Sequence, residues 1–278
     1  MIMKPKEFIL QTVKGEPVYA FEWKPEGEIK AVVANTHGLG EYSLRYQHVA
    51  QFYNQNNIAV FGFDLFGHGK SGGKRGELPE KGIHLESIHL LLEQAKMKYP
   101  GSPILLRGHS LGGELVLWYA LEKRPEIKGI ISTSPFLAAN EPLPPIKLFL
   151  AKVMNNLLPG FSMENGLDPY GLSRDQTIVD KYVQDPLVHK MVSARLGWVM
   201  VEQAEWIMEH AREFPLPLLI VVGSAERIVN RVKIEEFAKL VPNAELKIWD
   251  GLYHETHNEP EKEMVLKYEY DWVKKILK

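Results

Sequence analysis

The sequence predicts an α/β domain: a mostly parallel, eight-stranded sheet with helices on both faces and a helical cap inserted late in the core. Three observations lead there. Strand-like and helix-like segments alternate after an initial hairpin. One strand runs into Gly108-His109-Ser110-Leu111-Gly112 and straight on into a helical pattern. The alternation then fails between Phe136 and about Met200, where proline, leucine, methionine and aromatic residues crowd without a clear strand.

Taken in order, residues 8–13 and 18–23 read as two strands around Lys14-Gly15-Glu16-Pro17, a turn composition that signals a hairpin. Residues 29–36 form the next strand and end at His37-Gly38-Leu39-Gly40. A helix over 46–53 leads through Asn54 and Asn57 into a strand over 58–63, which stops at Asp64 and opens into a glycine-rich loop, 67–73. Residues 83–99 have the period of a long amphipathic helix, ended by Pro100-Gly101. The strand 104–107 and the helix 114–120 flank the glycine-serine turn, and further strands are expected at 128–133, 216–222 and 245–249. Helices fill 234–240 and 261–277. Within the break, 146–158, 175–183 and 187–207 look helical. His84, His89, His189 and His210 fall on expected helices and carry no functional reading.

At 278 residues the chain has room for one large domain carrying an insertion. We place the core in 1–135 and 206–278 and the cap in 136–205. A composition 45% hydrophobic and 24% charged fills a sizeable core, and a net charge of −2 gives no electrostatic case for a nucleic-acid partner. No run approaches the roughly 20 apolar residues of a membrane span. The opening Met1-Ile2-Met3-Lys4-Pro5-Lys6 lacks an apolar signal-peptide core, so the cytoplasm is the default expectation. The absence of cysteine excludes disulfides, thiol catalysis and cysteine-ligated metals. The stripe Ile146, Phe149, Leu150, Val153 and Leu157 has two readings. It either faces a lipid surface or packs on the core, the commoner fate of such a stripe.

Strand, G-x-S-x-G and helix together form a nucleophile elbow. The glycines leave room for a strained turn that pushes Ser110 Oγ out of the chain path, and the helix N-terminus favours negative charge there. A serine hydroxyl needs a base within hydrogen-bond reach and an acid to orient that base, and in this fold they follow in the order Ser, acid, His. Glu226 follows the strand 216–222, and no aspartate lies between Asp185 and Asp250 to compete. The alternative for Glu226 is a surface residue paired with Arg227. Two histidines, His254 and His257, follow the last strand, and His254 stands nearer its end. As a zinc pair they lack the H-E-x-x-H spacing and a third ligand, so no metal is assigned. The oxyanion needs two backbone N–H donors, and Leu111 and Leu39 supply them by position. His37 is expected to order the oxyanion loop and His68 its own loop.

The stretches His37-Gly38-Leu39-Gly40-Glu41 with Arg45-Tyr46, Asp64 through Gly69 with Ser71 and Lys74-Arg75-Gly76, the 108–113 elbow, Asp185-Pro186-Leu187 and Tyr253-His254 follow one another across nearly the whole chain. In these the chain resembles the α/β-hydrolase superfamily, in its monoacylglycerol lipase and lysophospholipase-like branch. The resemblance implies a helical cap over an acyl tunnel, hydrolysis of a glycerol ester and a base at His254. It also implies a polar pocket for the glycerol end at Glu41, Arg45, His109, Tyr182 and His257. Each of these has a structural alternative: Glu41 and Arg45 bracing the loop, Tyr182 packing the cap. Glu226 departs from the branch, which usually carries aspartate there.

The expected activity is cleavage of monoacylglycerols and short to medium acyl esters through an acyl-enzyme on Ser110, with no metal or organic cofactor. The expected partner is a small lipid ester, with transient membrane contact through the cap; monomer and homodimer both stay open. Lysophospholipase, general carboxylesterase, an S33-type aminopeptidase and a non-catalytic ligand receptor are the rivals. Dehalogenases and epoxide hydrolases carry aspartate at the elbow, which Ser110 argues against.

Overall fold

The computed structural model describes residues 4–12, 15–141 and 144–278. Met1, Ile2, Met3, Val13 and Lys14, which enter the expectations above, lie outside the described residues. The chain opens with β1 (Lys6–Gln11) and β2 (Pro17–Trp23), an antiparallel pair. There follow β3 (Ala31–Thr36), a 310 turn (Ser43–Tyr46) continuing into α1 (Gln47–Gln55), β4 (Ile58–Phe63) and α2 (Ile83–Lys98). Next come β5 (Ile104–His109), α3 (Leu111–Lys123) and β6 (Gly129–Thr133). Between β6 and the next strand of the large sheet come α4 (Pro145–Leu157), β7 (Ser162–Glu164), α5 (Gln176–Gln184), β8 (Met191–Ser193) and α6 (Ala194–Glu209). The core resumes with β9 (Leu218–Gly223), α7 (Arg231–Leu240), β10 (Ala244–Trp249) and α8 (Lys262–Ile276).

The eight-stranded sheet has the order β1-β2-β4-β3-β5-β6-β9-β10; β2 is antiparallel to its neighbours and every later pair is parallel. Strands β3 to β6 and β9 are buried along their whole length, which is why they read as unbroken apolar runs rather than alternating ones. Their pleat still sorts residues by face. Val32 and Ala34 face α2, α3 and α7, whereas Ala31 and Val33 face α1 and α8. Arg107, fully buried on β5, is held by Glu269 of α8 at 2.9 and 3.1 Å and by Asn35 of β3 at 3.0 Å.

Two expectations need correcting. The stretch 187–207 is not one helix: Asp185 Oδ1 accepts the Leu187 N–H at 2.9 Å, the chain runs irregularly, and α6 starts only after Ser193, whose hydroxyl accepts the Leu196 N–H. The residues before α6 include β8, which pairs antiparallel with β7, so the region expected to lack strands holds two short ones. His189 is therefore off any helix, its N–H bonded to Gly40 O at 2.9 Å, and His210 stands one residue beyond α6. The apolar stripe of α4 did not meet the commoner fate. Ile146, Phe149, Leu150 and Leu157 are all more than half exposed, while Val153 is half-buried. Among the described residues no helix is long and apolar enough to cross a membrane.

Candidate active site

Ser110 sits between β5 and α3 at φ 54°, ψ −117°, a region L-residues avoid at a cost of about 1–3 kcal/mol. The surroundings hold it there: its N–H donates to Thr133 O at 2.9 Å, and its own carbonyl accepts from Glu114 and Phe136 at 3.0 and 3.1 Å. The two glycines answer a close approach. A Cβ on Gly108 would collide with Gly112 O, and one on Gly112 with Thr36 O. The turn sets Ser110 at the positive end of α3, as the residue that caps its first turn.

Loops after β9 and β10 bring the next two residues together. His254 Nδ1 donates to Glu226 Oε2 at 2.9 Å, and both side chains are buried. Glu226 Oε1 accepts the N–H groups of Arg227, Ile228 and Val229 at 2.9, 2.8 and 3.3 Å, so its own loop pins the carboxylate. Burial pushes Glu226 up, but the His254 charge, its hydrogen bond and these N–H groups outweigh burial and hold it below the ordinary glutamate range. Burial lowers His254, yet the Glu226 carboxylate overrides it and the imidazole ends above its ordinary value. Arg227, the alternative partner for Glu226, lies over the Tyr253 ring instead, 3.9 Å from the centroid. With Nδ1 engaged, Nε2 is the nitrogen left for a serine proton. No Ser110 Oγ to His254 hydrogen bond is closed among the described residues, a bond that often tightens only with substrate present.

The loop after β3 crosses the elbow. A Cβ built on Gly38 would stand 3.3 Å from Ser110 Cβ. His37 donates from Nδ1 to Gly38 O at 2.7 Å and accepts the Leu65 N–H on Nε2 at 2.8 Å, tying this loop to the one after β4. Burial drops His37 to about 3, so it bridges as the neutral ring. His68 bonds Phe66 O within its own loop at 3.0 Å. The N–H groups of Leu39 and Leu111 have no acceptor among the described residues.

Glu41, Arg45, His109, Tyr182 and His257 gather beside this centre. The His109 ring lies 4.7 Å from His254 and 4.8 Å from His257, and His257 stacks on Tyr46 at 4.9 Å. His109 Nδ1 meets Thr133 Oγ1 at 3.0 Å. Arg45 stands over the Tyr182 ring, 4.8 Å from its centroid. Sequence reading missed Glu255, which takes the Arg45 guanidinium in a two-pronged bond at 2.8 and 2.9 Å. Arg45 also pairs with Glu41, whose Oε1 accepts from the Gly38 N–H at 2.7 Å and the Tyr46 hydroxyl at 2.6 Å. Burial pushes Glu41 up despite Arg45, while Arg45 holds Glu255 low against burial. Glu41 thus ties Arg45 and Tyr46 to the Gly38 N–H of the loop after β3. The one local signal for Glu255 was a carboxylate directly after His254.

Comparison with known proteins adds the kinship. A family model described as serine aminopeptidase, S33, matches residues 27–261. The chain belongs to this α/β-hydrolase family. It is similar to the monoacylglycerol lipase of Mycolicibacterium smegmatis, 32% identical over 90% of this chain and 90% of that one. It is 35% identical, over 91% of its length, to an abhydrolase domain-containing protein of Dictyostelium discoideum, of which the chain spans 27%. The monoacylglycerol lipase of Paleococcus ferrophilus superposes with a TM-score of 0.85 at 32% identity, covering 94% of this chain and 98% of the other. Within this α/β-hydrolase, elbow, acid and histidine stand in the order the family uses.

Proposed function

We propose that this α/β-hydrolase cleaves monoacylglycerols to fatty acid and glycerol through an acyl-enzyme on Ser110. The observation that carries the reading is the Glu226–His254 hydrogen bond set behind a strained serine at the head of α3. The lipases similar to this chain supply the substrate class. His254 Nε2 takes the Ser110 proton as Oγ attacks the ester carbonyl, and Glu226 steadies the resulting imidazolium. The N–H groups of Leu39 and Leu111 hold the oxyanion. Glycerol leaves with the proton from His254, and water repeats the sequence to release the fatty acid.

The segment 136–205 serves as the lid. Its α4 presents Ile146, Phe149, Leu150 and Leu157 to a lipid surface, from which the enzyme, working in the cytoplasm, draws substrate. The engagement of Arg45 by two carboxylates argues against a lysophospholipid, whose phosphate would need a free cation. The same engagement of Glu41 argues against a peptide amine. His109, His257 and Tyr182 remain to receive the glycerol hydroxyls.

Purified protein assayed on monoacyl-, diacyl- and triacylglycerols and a lysophosphatidylcholine will turn over monoacylglycerols fastest, and Ser110→Ala will fall to background. Faster cleavage of the lysophospholipid would overturn the substrate reading.

A further inference from the structure

Between α3, α6 and the start of α2 lies a small cavity of about 10 Å³, room for about one water-sized group. Most of its wall is apolar, with Leu111 and Leu115 from α3 and Leu196, Val199 and Met200 from α6. Three polar side chains interrupt that wall: Glu114, His84 and Gln203, each at least nine-tenths buried. Glu114 Oε2 and His84 Nε2 have no hydrogen-bond partner among the described residues. Neither atom has a role in the chemistry above, and buried polar atoms are seldom left unmatched without a reason.

Their protonation states make them complementary. Burial, unopposed, pushes the Glu114 carboxyl well above the ordinary range, so it is the neutral acid and can donate. His84 is held by a hydrogen bond to the Phe66 backbone and falls to about 4 through burial, so it is neutral as well. With Nε2 unpartnered, that bond runs through Nδ1–H and leaves Nε2 as an acceptor. A hydroxyl, of water or of a ligand, answers both, accepting from Glu114 and donating to His84. Leu111, the residue that follows Ser110, lines the cavity wall and so places the cavity next to the nucleophile turn. Glu114 stands one helical turn beyond Ser110, about 6 Å along the axis, the reach of a short acyl chain.

We propose that this cavity is the far end of the acyl site and that Glu114 and His84 select acyl groups ending in a hydroxyl. The inference rests on the ester-hydrolase reading above. A plain alkyl terminus strands both polar atoms, whereas a hydroxyl satisfies both. The expected preference is about 10- to 100-fold in kcat/KM, the worth of one to two buried hydrogen bonds.

The test uses 1-monoacylglycerols of five to eight carbons (about the reach given above), with and without a terminal hydroxyl. The wild-type enzyme is expected to favour one hydroxylated member of the series over its plain counterpart. Glu114→Gln, still a neutral donor, keeps that preference, and Glu114→Leu reverses it. A wild-type enzyme that cleaves the plain esters equally well or better at every length overturns the proposal and leaves ester hydrolysis standing. Cleavage of neither set would remove the ester-hydrolase reading, and this inference with it.

Discussion

The two oxygens of Glu226 divide their work: Oε2 holds the His254 ring, and Oε1 is fixed by three backbone N–H groups of its own loop. Changing Glu226 to Gln keeps the size and removes the charge. The kcat of Glu226→Gln is expected to fall about 10³- to 10⁴-fold, as when the acid of a serine triad is neutralised. The pH profile carries the sign. His254 must be neutral to act as a base, and the Glu226 charge raises its pKa, so activity is lost as pH falls through that raised value. Without the charge the pKa drops, and the acid limb of kcat/KM moves to lower pH. Glu226→Asp keeps the charge and therefore the limb, but the shorter side chain misplaces the ring, with a loss of about a hundredfold or less. A Gln variant with wild-type rate and limb would remove Glu226 from the triad. At this scale sequence spacing singled out Ser110, Glu226 and His254, because each follows a strand end in a loop that offers few candidates, and the structure bonds His254 to Glu226. It did not reveal that Arg45 is held by Glu255, a partner 210 residues away along the chain.

Elements differ in how plainly the chain announces them. The strand expected at 58–63 is β4 end to end, because a strand buried on both faces writes an uninterrupted apolar run bounded by polar residues. Strands β7 and β8 left no such trace. Each has three residues, and each exists through pairing across a gap of about 30 residues that local patterning does not encode. The α4 stripe was visible as a pattern, but its direction was not, since an apolar helix face reads alike toward a core or toward lipid. Lys152 of α4 lies 5.6 Å from the Trp198 ring of α6, so the helix docks by one side and leaves Phe149 and Leu157 outside. If those two enter a bilayer, replacing both with serine removes about 3 kcal/mol or more of apolar transfer, at least a hundredfold in vesicle binding. Flotation with phosphatidylcholine vesicles checks this directly, beside turnover of a short water-soluble ester, which the double variant should retain. Equal flotation of variant and wild type would take lipid contact away from α4.

Across the whole molecule, one ion pair links layers that the sequence keeps far apart. Arg107 lies in the strand that delivers Ser110, and Glu269 lies on α8, with the Tyr53 hydroxyl of α1 also donating to the carboxylate at 3.1 Å. Neither charge touches solvent. Such a pair contributes little net stability relative to an apolar substitute, because desolvation offsets attraction, yet removing one partner strands the other. Two different outcomes follow from that asymmetry. Glu269→Leu leaves a buried guanidinium without its carboxylate, held by neutral partners such as Asn35 Oδ1, at a cost of about 3–5 kcal/mol. Arg107→Met combined with Glu269→Leu removes both charges and is expected to return to within about 1 kcal/mol of wild type, or to exceed it. Urea unfolding of the four proteins in the cycle (wild type, each single and the double) reads both numbers. A double variant as unstable as the worse single one would mean that Arg107 and Glu269 serve packing rather than each other. The strand beneath the nucleophile would then owe its position to the apolar layers alone.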